Sequence, residues 1–209
     1  MNQEERLNVY KRIVKRAKFL PGGGNTTPYE IAVKELSVIT DEELKNPDFT
    51  FIDCCAGIGT YGLTMTDRLL AFHTEEHIIN NMIYLAEIDP VKVHALKGRL
   101  QFKNVYHGDT LETDLTQMIK NDEFDLAAYN PPYGTGQTPL HLMFLEKMDK
   151  MAKRQLVLHP GTFLLRPEYG GKEGGDVWLR EKRVDDIITE NKSSFTWLNG
   201  SEIFDGADF

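Results

Sequence analysis

The segment Phe51-Ile52-Asp53-Cys54-Cys55-Ala56-Gly57-Ile58-Gly59-Thr60-Tyr61-Gly62 constrains the fold more than any other stretch of this chain. An apolar run ends in an acid, glycines follow, and Tyr61, Met65 and Leu69 then recur at helical spacing. This is the pattern of a strand, a tight turn and the first turns of a helix. Glycine in such a turn permits positive φ and lets a ligand lie close to the backbone. By itself the glycine pair is weak support for a ligand site.

Short apolar runs and helical patterns alternate through the rest of the chain. Strands are predicted at 50–54, 82–86, 104–107, 124–129 and 155–159. Helices are predicted at 3–19, where Leu7, Tyr10, Ile13, Val14 and Ala17 share a face, and at 29–39 with Ile31, Ala32, Leu36 and Ile39 inward. The second of these is expected to be capped by Thr27, with Pro28 at its first position. Others are expected at 60–73, after Pro90 with Val93, Leu96 and Leu100 inward, at 111–119 around Leu115 and Met118, and at 139–151 with Leu142, Leu145 and Met148. A modest helix at 176–182 and strand-like pieces at 185–189 and 194–198 follow. The glycine-rich stretch 169–175 reads as a mobile loop. Such alternation predicts an α/β fold with a doubly wound, mostly parallel sheet of about six strands.

The strand ends carry the chemistry. The second strand runs into Glu87-Ile88-Asp89-Pro90, the third into Gly108-Asp109, the fourth into Asn130-Pro131-Pro132-Tyr133. In an open α/β sheet these ends converge on one crevice, and an acid after the second strand is placed to bind a ribose. A carboxylate at Asp109 can accept a hydrogen bond from an adenine amino group. Helix capping is the alternative for these acids, and Asp89 before Pro90 suits it. Asn130 offers an amide oxygen, Pro131 a carbonyl on a backbone of fixed φ, and Tyr133 a flat ring. Together they suit a planar group bearing an amino nitrogen. They equally suit a turn that closes a strand.

On these residues the chain resembles the S-adenosylmethionine-dependent N6-adenine DNA methyltransferases of the N-P-P-Y type, found in restriction-modification and phage-like systems. The tetrapeptide Asn130 to Tyr133 matches the family's substrate motif. Asp53 to Gly59 matches its cofactor loop, with Cys54 where the family carries Pro or another small residue. The resemblance implies a Rossmann-like methyltransferase fold with S-adenosyl-L-methionine as cofactor. It implies that Ala56, Gly57 and Gly59 underlie the cofactor, with Asp53 in the same loop. Glu87 would hold the ribose, and Asp109 the adenine amino group with Ile88 and Thr110 beside it. Thr27-Pro28 matches a short element that meets the cofactor's methionine end, and Asn130 borders both cofactor and substrate. Catalysis would fall to Asn130, Pro131, Pro132 and Tyr133. The likeness runs from about Gly24 to about Phe204.

Composition bounds the rest. The chain has 209 residues, 41% apolar, with formal net charge −8, which suits one α/β domain. A basic amphipathic helix at 1–20 is expected to precede a catalytic domain at 21–209. That first segment holds six Lys or Arg against two Glu, which leaves about −12 on the remainder. Its charged side reads as a solvated face, with a nucleic-acid contact as the alternative. A sequence pI of 5.3 is low for a nucleic-acid binder. In the resembled family a late hairpin strand and a target-recognition region follow the position of Phe209. A partner chain or a C-terminal region is therefore expected to supply recognition of DNA, with residues 1–209 weak on DNA alone. No apolar stretch spans a membrane. Two adjacent cysteines suggest neither a disulfide framework nor a metal site. A cytoplasmic setting is expected. The open alternatives are adenine in RNA, a glutamine amide in a protein, a non-catalytic subunit on this fold, and an NAD-dependent enzyme. The last is ranked low on the reading that Gly62 falls at the wrong offset for the dinucleotide fingerprint.

Overall fold

The computed structural model describes residues 2–17, 26–133, 139–159 and 173–190. Five strands form one sheet: β1 (Phe51–Asp53), β2 (Ile83–Glu87), β3 (Asn104–His107), β4 (Leu126–Tyr129) and β5 (Gln155–Val157). Their order is β3-β2-β1-β4-β5, and every neighbouring pair is parallel. Phe51 pairs with Ile83 on one side and Leu126 on the other. The strand expected at 194–198 lies outside the described residues, as does most of the glycine-rich stretch.

The central strands read as continuous apolar runs because helices cover both faces. Phe51, Ile83, Leu85, Leu126 and Ala128 face one layer, built from α1 (Gln3–Ala17), α2 (Tyr29–Leu36), α4 (Thr60–Leu69) and α6 (Pro90–His94). Ile52, Tyr84, Ala86, Ala127 and Tyr129 face the other, where Phe144 and Met148 of α7 (Leu140–Asp149) pack. Buried Met65, Met82, Met148 and Met151 are core filler. Two short helices, α3 (Asp41–Leu44) and α5 (Glu75–His77), lie between these. Among the described residues no helix is long and apolar enough to cross a membrane.

Several elements differ from the sequence reading. Residues 111–119 do not form a helix; only a 3₁₀ turn, Leu115–Met118, is present. Asp109 and Asp114 each turn a carboxylate onto the backbone N–H two residues on. Such local bonds compete with helix formation. The pieces at 176–182 and 185–189 are one helix, α8 (Asp176–Glu190). Its Val184 is buried with Leu142 and Leu145 of α7, and Ile187 and Ile188 pack on the same cluster. Those three positions follow i, i+3, i+4, so β-branched residues that read as a strand are a helix face. Thr27 does not cap α2: Pro28 occupies the cap position with no side-chain bond.

Helix α1 buries Tyr10 and Ile13 against this layer. It also buries a charge. Arg6 is 1% exposed, gives Nε–H to the Leu100 carbonyl at 2.9 Å, and pairs with Glu75 at 2.5 Å. The Tyr10 hydroxyl lies 2.8 Å from Thr60 Oγ1, at the first turn of α4.

Candidate active site

The chain runs β1, β2, β3 outward and then returns to place β4 on the other side of β1. That reversal opens a crevice at the carboxyl ends of β1 and β4, where ligands bind in open α/β sheets. The ends of β1 to β4 therefore bring Asp53, Glu87, Asp109 and Asn130 to one edge.

The loop after β1 is held by strand β2. Ala56 N–H donates to the Ala86 carbonyl at 2.9 Å, and Gly57 N–H donates to Glu87 Oε2 at 2.7 Å. Glu87 Oε1 accepts Asp89 N–H at 2.9 Å. The Thr110 hydroxyl donates to the Cys54 carbonyl at 2.7 Å and ties the region after β3 to the same loop. Gly57 and Gly59 have φ of +54° and +89°, a conformation that favours glycine. A Cβ at Gly57 would meet only the Cys55 carbonyl, at 3.9 Å, so this side of the loop is open. A Cβ at Gly59 would come within 2.8 Å of Leu96, and one at Gly62 within 2.9 Å of Leu85. Those two glycines let the loop and α4 sit tight on the sheet layer.

The glycine spacing needs a correction. Gly57, Gly59 and Gly62 do stand at the G-x-G-x-x-G spacing of dinucleotide-binding loops. The loop alone therefore does not separate a nicotinamide site from a methyltransferase site. The distinction rests on the end of β4.

Asp53 is fully buried, and burial pushes its carboxyl well above the ordinary range; the Cys55 N–H opposes this and the nearby Glu87 charge adds to it. Its Oδ1 accepts Cys55 N–H at 3.1 Å. Burial likewise pushes the Cys55 thiol up, which keeps it neutral. Past Glu87, Ile88 and Val91 are apolar side chains left 62% and 65% exposed. Asp109 is exposed, with Oδ1 accepting Leu111 N–H at 2.9 Å. Asp89 caps α6 through Val91 N–H at 2.8 Å.

At the end of β4, Asn130 is held from both sides. Its Nδ2 donates to Thr27 Oγ1 at 3.1 Å, and its Oδ1 accepts the Tyr133 hydroxyl at 2.8 Å. Pro131 is buried and Pro132 exposed. The half-buried Tyr133 ring meets His141 edge-on with centroids 6.1 Å apart, and His141 Nδ1 lies 3.0 Å from the Tyr133 carbonyl oxygen. Thr27, Pro28 and the tetrapeptide are thus neighbours across the crevice, as the Asn130 bond requires.

The sequence reading missed the carboxylate behind this cluster. Glu35 of α2 accepts the Tyr61 hydroxyl. Burial raises the Glu35 carboxyl to about 6, with the Tyr61 bond opposing. The available signal was its spacing: Glu35 stands four residues after Ile31 and three after Ala32, on the flank of an apolar face.

Solved structures share this arrangement of strands and helices. A protein described as the modification subunit of a type I restriction enzyme from Vibrio vulnificus YJ016 matches with TM-score 0.64 at 15% identity, over 90% of this chain and 44% of that one. One described as a class I S-adenosylmethionine-dependent methyltransferase from Listeria monocytogenes matches with TM-score 0.59 at 15% identity, over 91% and 62%. The methyltransferase subunit of a type I restriction-modification system from Streptococcus thermophilus matches with TM-score 0.56 at 14% identity, over 79% and 38%. The fold is therefore the Rossmann-like one seen in S-adenosylmethionine-dependent methyltransferases. This chain spans less than two thirds of the length of each of these proteins. No protein-family model and no curated protein matches the sequence.

Proposed function

We propose that this protein transfers a methyl group from S-adenosylmethionine to the N6 amine of adenine in DNA. One observation carries the reading: the Asn130 amide stands at the end of β4, beside the topological reversal, with Thr27 and Tyr133 on its two sides. A plain turn needs no such pair of side-chain bonds. The protein names attached to the similar folds, two of them restriction-modification subunits, point the same way.

The open side of Gly57, the Glu87 carboxylate, exposed Ile88 and Asp109 fit a nucleoside-bearing cofactor. Glu87 would hold the ribose, Ile88 and Thr110 the adenine face, Asp109 its amino group, and Ala56 to Gly59 the centre; Asp53 shapes that loop. Thr27-Pro28 and Asn130 would border the methionine end. Bound there, S-adenosylmethionine supplies a methyl already activated by its sulfonium. The protein's task is to place and orient the amine. An amide oxygen has room for two hydrogen bonds, so Asn130 Oδ1 can take an amine hydrogen beside the Tyr133 hydroxyl. The Pro131 carbonyl takes the second hydrogen. Both bonds favour a more tetrahedral nitrogen with its lone pair exposed. Tyr133 offers its ring to the base, which a duplex must first flip out.

The test supplies labelled cofactor with DNA, RNA and protein extract in parallel. Label in N6-methyladenine of DNA is expected. Label only in RNA, or only in a glutamine of a protein, moves the target and keeps the cofactor. Calorimetric binding of NAD without S-adenosylmethionine overturns both.

A further inference from the structure

Tyr133 is the ring that the proposed function offers to a base, and a stacking platform serves only where it is held in place. Its hydroxyl is fixed at the ends of β4 and β5. It donates to Asn130 Oδ1 at 2.8 Å and to the Leu158 carbonyl at 3.4 Å. Leu158 is itself tied to β4, its N–H donating to the Tyr129 carbonyl at 3.1 Å. Pro131 and Pro132 fix φ before Tyr133. A hydroxyl pinned at the tip of the side chain still lets the ring pivot unless the main chain at Tyr133 is pinned too.

His141 supplies that second point. It is the second residue of α7. With Phe144, Leu145 and Met148 it stands at i, i+3, i+4, i+7, so it heads the buried stripe of the helix. Phe144 and Met148 pack on the sheet, and Leu145 packs with Val184 of α8. The core thus places the imidazole on a rigid element. His141 Nδ1 lies 3.0 Å from the Tyr133 carbonyl oxygen. A carbonyl only accepts, so the ring carries a proton on Nδ1 and donates it. The imidazole also stands beside the Tyr133 ring, with centroids 6.1 Å and planes 85° apart. His159, just after β5, packs edge-on against His141 with centroids 4.5 Å apart. An apolar residue at 141 would continue the stripe as well, but it would take this donor from the Tyr133 carbonyl.

We propose that His141 is a positioning residue: by donating Nδ1–H to the Tyr133 carbonyl and flanking the ring, it holds Tyr133 at the angle a base must meet. The proposal rests on the stacking role given to Tyr133 under the proposed function. His141 acts through Tyr133 alone in this role, so its loss should cost nothing once the Tyr133 ring is gone.

Two measurements on the full chain test this. The first needs no substrate. Nitrogen-15 spectra of the neutral His141 imidazole, identified by its loss in His141→Phe, are expected to show the proton on Nδ1. A proton on Nε2 instead overturns the proposal. The second is a double-mutant cycle with labelled S-adenosylmethionine and the acceptor that is methylated, DNA being expected. His141→Ala, and His141→Phe, which fills the space without the donor, should each raise KM for the acceptor about fivefold, with kcat and cofactor affinity within about twofold. His141→Asn, whose Nδ2 takes the place of Nδ1, should recover most of that loss. In a Tyr133→Ala background all three should change KM by less than about twofold. A wild-type KM in His141→Phe, or an equal loss with and without Tyr133, overturns the proposal. With the proton on Nδ1 but no methyl transfer to DNA, RNA or protein, the hold on Tyr133 stands and the proposed function falls.

Discussion

Asn130 and Tyr133 share one hydrogen bond, and substitutions can separate their parts. Asn130→Ala removes the amide to which the proposed function gives the substrate amine. It should abolish most turnover while leaving S-adenosylmethionine affinity within about twofold, because Glu87 and Asp109 are untouched. Kinetics and calorimetry on the same preparation check this. Tyr133→Phe loses the bond to Asn130 Oδ1 and the longer one to the Leu158 carbonyl, about 1 kcal/mol together. Tyr133→Ala also loses the ring, and a further 1–3 kcal/mol or so of base stacking should appear in KM for DNA. Glu35 makes a prediction about stability. Its carboxyl is raised from 4.5 to about 6 in the fold. The native state then holds a proton that the unfolded chain has released, so stability falls as pH rises through that window. Glu35→Gln should therefore gain on the wild type by up to about 2 kcal/mol at high pH and by little at low pH. Urea unfolding at both ends of the window measures the difference; an equal gain at both would refute it. The N-P-P-Y motif was legible from four adjacent residues. Glu35 was not, because nothing in Tyr29 to Leu36 says that Tyr61 stands against it.

Among the elements, the loop after β1 carries the tightest packing. Gly59→Ala forces a side chain onto a backbone at φ +89° and to within 2.8 Å of Leu96. A loss of roughly 2–4 kcal/mol is expected, strain and overpacking together. Gly62→Ala sits on an ordinary helical backbone but meets Leu85 at 2.9 Å and Phe102 at 3.3 Å, so about 1–3 kcal/mol is expected. Denaturant titration of the two variants ranks them, and a harmless Gly59→Ala would contradict the loop geometry. Arg6 shows the limit of periodicity at this scale. The apolar face of α1 was readable, but Arg6 lies buried beside it, on Glu75 and the Leu100 carbonyl. Elements with strong helical spacing, such as α4 and α7, were legible near their ends. The 111–119 segment was not, since the competing turns at Asp109 and Asp114 are decided by local side-chain bonds rather than by apolar spacing.

For the molecule as a whole, the crevice exists only because β4 returns beside β1. A ligand that binds the native crevice and not the unfolded chain raises the unfolding midpoint. At a hundredfold excess over Kd the gain is about 2.7 kcal/mol. S-adenosylmethionine is expected to give such a shift in a thermal melt and NAD none. The comparison matters because Gly57, Gly59 and Gly62 suit either cofactor by spacing.

The sequence by itself determined the alternation of strands and helices, the glycine turn, and the polar residue at each strand end. These are local: apolar spacing, glycine conformation and capping chemistry act within a few residues. Only the tertiary structure decided the strand order, the burial of Arg6 and the pairing of Glu35 with Tyr61 and of Thr27 with Asn130. Those four residues come from α2, α4, the segment before α2 and the end of β4. Their pairing depends on how helices pack across the sheet, and no window of sequence contains that.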